Sequence, residues 1–148
     1  MSTFLYGRRM YERMTAYWPT AESNPAATPV MVDFARIWKD TPKVVFSTTL
    51  ETVDWNSRLV RDRAVEEVAR LKAQPGADMD VGGPTIAATL MRAGLIDEVR
   101  LFVNPVILGA GLPFVPPLDD RIDLALLETR TFRLGVVLLR CATGSSAG

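Results

Sequence analysis

Histidine is absent from this 148-residue chain, and cysteine occurs once, at Cys141. Without histidine there is no imidazole base, no serine-type triad built on one, and no histidine-ligated catalytic zinc. A single cysteine excludes an internal disulfide and a cysteine zinc cluster. Set in an apolar strand, it reads as a buried, inert thiol. Net charge is lacking too, since 17 Lys and Arg offset 17 Asp and Glu. Nothing therefore points to a nucleic-acid or membrane-surface partner. No apolar run approaches the roughly 20 residues of a membrane span. The opening Met1-Ser2-Thr3-Phe4-Leu5-Tyr6 meets Gly7-Arg8-Arg9 too soon for a signal peptide. A cytoplasmic protein without a metal site is expected. Chemistry must rest on carboxylates, hydroxyls, arginines or a cofactor that carries the reactive group.

The length suits one domain. The stretch that organises the chain is Asp80-Val81-Gly82-Gly83-Pro84-Thr85-Ile86-Ala87-Ala88-Thr89-Leu90. A short strand runs into two glycines and then a helix opened by proline, where the missing N–H costs nothing. Two glycines let a ligand approach the backbone, and the helix N-terminus favours an anion. The same turn also serves as plain α/β punctuation.

Two further strand ends carry related features. Ser2–Tyr6 reads as a strand ending at Gly7, followed by a helix over Arg8–Tyr17 with Arg8 and Arg9 in its first turn. Cations are disfavoured there by the helix dipole, so either an anion binds or both arginines are solvated. Lys43–Phe46 reads as a buried strand opening into Ser47-Thr48-Thr49. These hydroxyls serve a ligand at a strand's carboxyl end or cap their own turn. Between these elements, Thr28 caps a helix running to about Lys39, with Val30, Phe34, Ile37 and Trp38 on its apolar side. Asp54–Ser57 reads as loop around a docked tryptophan. Asp62–Lys72 reads as an amphipathic helix with Arg63–Glu67 and Glu66–Arg70 pairs on its exposed side.

The later chain is strand-rich. Ala77–Val81 leads into the double glycine, and the Pro84 helix ends at Gly94. Asp97–Leu108 reads as a central strand bent at Pro105. Gly109-Ala110-Gly111 and three prolines then make a rigid loop. Ile122–Phe132 and Val136–Cys141 form an antiparallel hairpin around Leu134-Gly135. Strands alternating with helices imply an α/β fold whose sheet is mostly parallel, with one antiparallel edge. In such a sheet the three phosphate-friendly strand ends share one edge, which indicates nucleotide binding. Neither G-x-x-x-x-G-K-[ST] nor G-x-G-x-x-G occurs.

Several ordered motifs spread over nearly the whole chain: Gly7-Arg8-Arg9-Met10-Tyr11-Glu12, Tyr17-Trp18-Pro19-Thr20, Val45-Phe46-Ser47-Thr48-Thr49-Leu50, Gly82-Gly83-Pro84-Thr85, Gly94–Leu101, Pro105–Gly111, Thr131-Phe132 and Gly135–Leu139. Together they resemble the dihydrofolate reductase-like superfamily. More narrowly, they resemble the bacterial proteins grouped with the reductase domain of the riboflavin-biosynthesis deaminase–reductase. The resemblance implies a three-layer sandwich over residues 1–142, with residues 143–148 a flexible tail. It implies an NADPH-dependent reductase, with NADH a second possibility. The hydride acceptor would be a pteridine- or pyrimidine-like heterocycle, as in dihydrofolate reductase-like or 5-amino-6-(5-phosphoribosylamino)uracil reductase-like activity. A non-catalytic cofactor-binding or assembly module is the alternative. Carried onto this sequence, Gly7 and Arg8, with Arg9 as a helper, hold cofactor phosphates. Ser47 and Thr48 hold the adenosine ribose phosphate. Gly82, Gly83, Pro84, Thr85 and Ile86 hold the pyrophosphate and the nicotinamide side. Gly109 and Gly111 lie by the substrate, and homodimerisation is implied.

The departures from that pattern are specific. Met10 stands where the family has threonine, and Thr48 where many relatives have arginine, which weakens the expected preference for NADPH. Val81 and Met14 replace acidic residues of the riboflavin reductases, which argues against their substrate. The family's first strand, loop and helix have no counterpart ahead of Ser2. A gap is therefore expected between the strand ending at Gly82 and the strand at Val99–Val103, filled by residues upstream of the sequence, by another chain or by a rearrangement. No catalytic acid is assigned, because that segment would supply it. Asp80 is a polar group beside the gap, or simply a strand-end aspartate.

Overall fold

The structure is a computed structural model that describes residues 2–144. Residues 145–148, most of the expected tail, lie outside the described residues. Thr143 belongs to a strand. The chain divides into two units, residues 1–87 and 88–148.

The first unit is built on four parallel strands in the order β3-β2-β1-β4. They are β1 (Thr3–Gly7), β2 (Lys43–Phe46), β3 (Ser57–Val60) and β4 (Met79–Gly82). β1 lies between its partners with Tyr6 opposite Val45 on one side and Gly82 on the other. Strand β3 is absent from the sequence reading, which made its start a loop. Ser57-Arg58-Leu59-Val60 is too short and too polar to show the alternation by which a strand is recognised. It forms because its amides and carbonyls complete the ladder of β2.

Helix α1 spans Arg8–Tyr17, as the sequence predicts, and a short 3-10 helix at Trp18–Ser23 follows where loop was expected. Helix α2 spans Pro29–Asp40, and the Thr28 hydroxyl accepts from the Met31 amide as the cap. Its apolar side differs from the expected one. Ala35 and Trp38 are fully buried, while Val30 and Ile37 are exposed. The less exposed stripe passes through Met31, Phe34, Ala35 and Trp38, a single i, i+3, i+4, i+7 face. The core of this unit gathers Tyr6, Tyr11, Trp38 and Val45, with Phe4, Met10, Trp18 and Phe34 packed against them.

Helix α3 covers Ala64–Lys72, two residues shorter at its start than expected, because Arg63 turns the chain in the left-handed conformation at φ 54°. The expected Arg63–Glu67 and Glu66–Arg70 pairs are replaced by a cluster in which Glu67 takes both Arg58 of β3 and Arg70. These two guanidiniums, Arg70 first, hold the Glu67 carboxyl well below the usual carboxylate range.

Helix α4 (Pro84–Arg92) carries the chain into the second unit. It ends in a Schellman turn. Gly94 adopts φ 69°, its amide donates to Met91, and the Leu95 amide donates to Leu90. The second sheet is antiparallel, in the order β5-β7-β6. Its strands are β5 (Glu98–Val103), β6 (Leu124–Thr131) and β7 (Val137–Thr143). The hairpin around Gly135 is as expected, closed by the Phe132 and Val136 backbones. The strand at Val99–Val103 is an outer strand, not the central one expected. β7 takes the middle because it alone pairs on both sides. β4 and β5 are each the outer strand of their own sheet. The fold is thus α/β, with a parallel sheet and an antiparallel one.

Candidate functional site

Parallel strands that share a direction deliver their carboxyl ends to one edge. In the first unit that edge receives Gly7-Arg8 from β1, Ser47-Thr48-Thr49 from β2, Arg61 from β3 and Gly82-Gly83-Pro84 from β4. Three of these four are the motifs that the sequence singles out, and the structure brings them together.

The β1 and β4 turns touch. A Cβ on Gly83 would lie 3.6 Å from the Gly7 amide nitrogen and 3.6 Å from the Ile86 side chain. Gly83 also holds φ at 117°, a conformation open to glycine and strained for any other residue. Gly82 faces a different constraint. Opposite Tyr6 in the ladder, it would set a Cβ 2.8 Å from the Tyr6 ring and 3.1 Å from the Met10 side chain. We therefore expect Gly82→Ala to cost about 1–3 kcal/mol of stability by overpacking. Urea unfolding measures this, and an unchanged midpoint would mean that the ring yields freely.

The start of α1 has the character of an anion site. Gly7 stands at the cap, so no side chain accepts from the first amides, and no acidic residue occupies the first turn. Arg8 and Arg9 are both exposed there. Arg8 reaches in two directions. Its Nε lies 3.2 Å from Glu12, and its guanidinium donates to the Thr49 hydroxyl at 2.9 Å. The second bond ties the β1 end to the β2 loop across 41 residues of sequence.

The Ser47 hydroxyl organises that loop. It accepts from the Thr49 and Leu50 amides at 3.2 and 3.1 Å and lies 3.3 Å from the Thr49 hydroxyl. Ser47 thus caps its own turn, one of the two roles left open by the sequence, while Thr48 is exposed at the tip. From the other flank, the Arg61 guanidinium donates to the Glu51 carbonyl at 3.1 Å.

Beneath the edge lies Tyr6, with its phenol pushed up to about 12 by burial, assisted by the Asp80 carboxylate. It stays neutral near neutral pH. Asp80 itself is exposed, one strand away. Pro84 and Thr85 are exposed in the first turn of α4, and Ile86 is buried below them. Gly109 and Gly111 belong to the second unit, in the proline-rich loop after β5. Both are exposed, with open space around the position of a Cβ, and Gly109 has φ 77°.

Sequence reasoning missed Thr49 as the partner of Arg8, and Arg61 as a member of this edge. A strand placed at Ser57–Val60 would have signalled Arg61, since the next residue after a parallel strand falls at this edge. Nothing local marks Thr49 apart from Thr48.

Comparison with known proteins follows this geometry. The model of the RibD C-terminal domain family matches residues 1–138. The uncharacterized protein YyaP of Bacillus subtilis (strain 168) is 36% identical over 141 residues, covering 93% of this chain and 71% of that protein. A putative riboflavin biosynthesis protein from Shewanella sp. PV-4 has a similar crystal structure, with a TM-score of 0.74 and 17% identity. That match covers 97% of this chain and 74% of the other. Dihydrofolate reductase from Enterococcus faecalis, complexed with NADP(H) and RAB-propyl, gives a TM-score of 0.60 at 13% identity, covering 97% and 75%. At such identities these structures establish the dihydrofolate reductase-like fold alone.

Proposed function

We propose that this chain, which belongs to the RibD C-terminal domain family, is a nicotinamide-dependent reductase acting on a pteridine- or pyrimidine-like heterocycle. The observation that carries the reading is the meeting of the two glycine turns. Gly83 packs close to the Gly7 amide beside an α1 start that has no side-chain cap and no acid. The φ of 117° at Gly83 is strained for any residue with a Cβ, and a diphosphate fits the exposed amides beside it. The dihydrofolate reductase neighbour, complexed with NADP(H), supports the same cofactor class.

In this reading Gly7, Arg8 and Arg9 hold phosphate at the β1 end. Ser47 and Thr48 take the adenosine ribose side, and Gly82, Gly83, Pro84, Thr85 and Ile86 line the pyrophosphate and nicotinamide side. When bound, the nicotinamide supplies the hydride, so no histidine is needed. The chain's own contribution is to bind and orient. Backbone amides and guanidiniums neutralise the phosphates, and the buried core under Tyr6 fixes the strand ends that present them. Gly109 and Gly111 are assigned to the substrate side of the same proposal.

Purified protein should bind NADPH and oxidise it with a dihydropterin or aminouracil acceptor. Failure to bind either NADPH or NADH would overturn the proposal. A second reading, cofactor binding without turnover, is favoured by Met10, whose thioether side chain lies against Gly82 where the family places a hydroxyl. Tight binding with no oxidation in any acceptor would select it. A homodimer is part of the main proposal. It is supported by the exposure of Phe102, Val103, Leu126 and Leu127 on the outer strands of the second sheet. Light scattering at twice the 16.3 kDa chain mass is the expected result, and a monomer would refute it.

A further inference from the structure

We propose that Tyr11 is a positioning residue for the binding edge: its phenol fastens the chain that follows β2 to helix α1, and so fixes Ser47–Thr49 relative to the α1 start. This rests on the dinucleotide reading above and adds to it a residue that acts without touching the ligand.

Parallel neighbours need a connection that returns from the carboxyl edge of the sheet to the amino edge, and a helix usually supplies it. Between β2 and β3 the return is made by residues 47–56, which form neither helix nor strand. Such a segment must have its amides and carbonyls satisfied from elsewhere. Here side chains of other elements do so. The Arg61 guanidinium donates to the Glu51 carbonyl at 3.1 Å, and the Lys43 ammonium donates to the Trp55 carbonyl at 2.8 Å. Asp54 is held at both of its backbone groups by one hydroxyl. The Tyr11 oxygen accepts from the Asp54 amide at 2.7 Å and donates to the Asp54 carbonyl at 3.3 Å.

The first residues of the same strap are the serine loop, and α1 grips it there as well, through the bond from Arg8 to the Thr49 hydroxyl at 2.9 Å. Arg8 and Tyr11 lie three residues apart, so they share one face of α1, and that face holds the strap at two points. The two grips differ in rigidity. Arg8 is half-exposed on a long side chain that also pairs with Glu12. Tyr11 is the buried residue of α1, and its ring is set among Tyr6, Trp38 and Val45. A ring packed in this way delivers its hydroxyl to a fixed point. Leu50 and Val53 of the strap pack against the same cluster. Apolar contact is non-directional, whereas the hydroxyl sets the position of the Asp54 backbone in distance and angle. Ser47 caps its own turn, which shapes the loop but does not place it against α1. Tyr11 does that. A loop that holds its binding-competent arrangement about a tenth of the time binds about tenfold more weakly, so a lost grip is read directly as lost affinity.

Two measurements test this. In the wild-type protein, saturation with NADPH should slow hydrogen exchange of the Asp54 amide by about five- to tenfold, because a tie that favours binding is favoured by binding to the same extent. Tyr11→Phe keeps the ring and removes the hydroxyl. Titrated well below its melting temperature, where lost stability does not read as lost affinity, it should bind NADPH and NADH alike about five- to tenfold more weakly. Both dinucleotides present an adenosine ribose to the loop, so both should lose. The slowing at Asp54 should also disappear in this variant. Unchanged affinity in Tyr11→Phe would reduce the phenol to a structural tie and sink the proposal while leaving the dinucleotide reading in place. An Asp54 amide indifferent to NADPH in the wild-type protein would do the same without any variant. If the wild-type protein binds neither NADPH nor NADH, the dinucleotide reading fails and the positioning role falls with it.

Discussion

Arg8→Ala is expected to weaken NADPH binding by about 10- to 100-fold, the range of one or two lost hydrogen bonds to a charged group. NADH should lose less. The reason is the position of Arg8 between two strand ends. It leaves the first turn of α1, whose amides have no side-chain cap, and reaches the Thr49 hydroxyl in the next loop. Removing it takes a positive charge from the diphosphate side. It also loosens the loop proposed to hold the ribose phosphate. The Glu12 pair is half-exposed, so the substitution should cost less than about 1 kcal/mol of stability. Binding titrations with both dinucleotides, beside a urea unfolding curve, check the prediction. Equal losses for NADPH and NADH would confine Arg8 to the diphosphate. No loss for either would remove it from the site.

The second large effect concerns Lys43, far from that edge at the start of β2. This lysine is 1% exposed, and its hydrogen bonds among the described residues go to carbonyls. Its ammonium donates to the Thr41 and Trp55 carbonyls, each at 2.8 Å, and lies 4.2 Å from the centre of the Trp38 ring. The bond to Trp55 holds a turn in which Trp55 and Asn56 are both left-handed. Burial pushes the ammonium down to about 8 from its ordinary 10.5, against a smaller opposing pull from Asp40. Between those two values the unfolded chain keeps a proton that the folded chain has released, so stability rises with pH through the window. The gain is on the order of 1–3 kcal/mol, with the carbonyls and the Trp38 ring limiting it by favouring the charged form. Above pH 10 the sign reverses. Tyr6, held near 12 when folded, ionises first in the unfolded chain, and that term lowers stability. A urea midpoint that climbs from about pH 8 to about 10 and then falls is therefore expected. Lys43→Met should flatten the climb. It should also lower stability throughout by about 1–3 kcal/mol, because two buried carbonyls lose their donor. A flat profile in the wild-type protein would show that the ammonium is as well solvated in the fold as in water.

These two residues show where sequence reading succeeds and where it stops. Arg8 was legible because it breaks a local rule, two cations in the first turn of a helix that offers its dipole to anions. Gly82 and Gly83 were legible for a related reason, since paired glycines before Pro84 mark a strand-to-helix turn open to close approach, whether by a ligand or by the chain's own packing. Helices α1 and α2 were read to within a residue because proline, threonine and glycine mark their ends. Lys43 offered no such sign. It was read only as the first residue of a buried strand, and nothing local shows that its ammonium is held by a turn twelve residues later.

The same distinction divides the rest of the molecule. The sequence by itself determined the type of most elements and the absence of histidine chemistry, and it marked three turns as candidates to hold an anion. All of these follow from residues within a few positions of one another. The tertiary structure decided which features share an edge, that β3 exists, that β5 is an outer strand, and that Thr49 and Arg61 belong with Arg8. Strand order and side-chain reach are set by pairing between residues tens of positions apart. Short strands such as Ser57–Val60 take their structure from the neighbour they complete, not from their own composition.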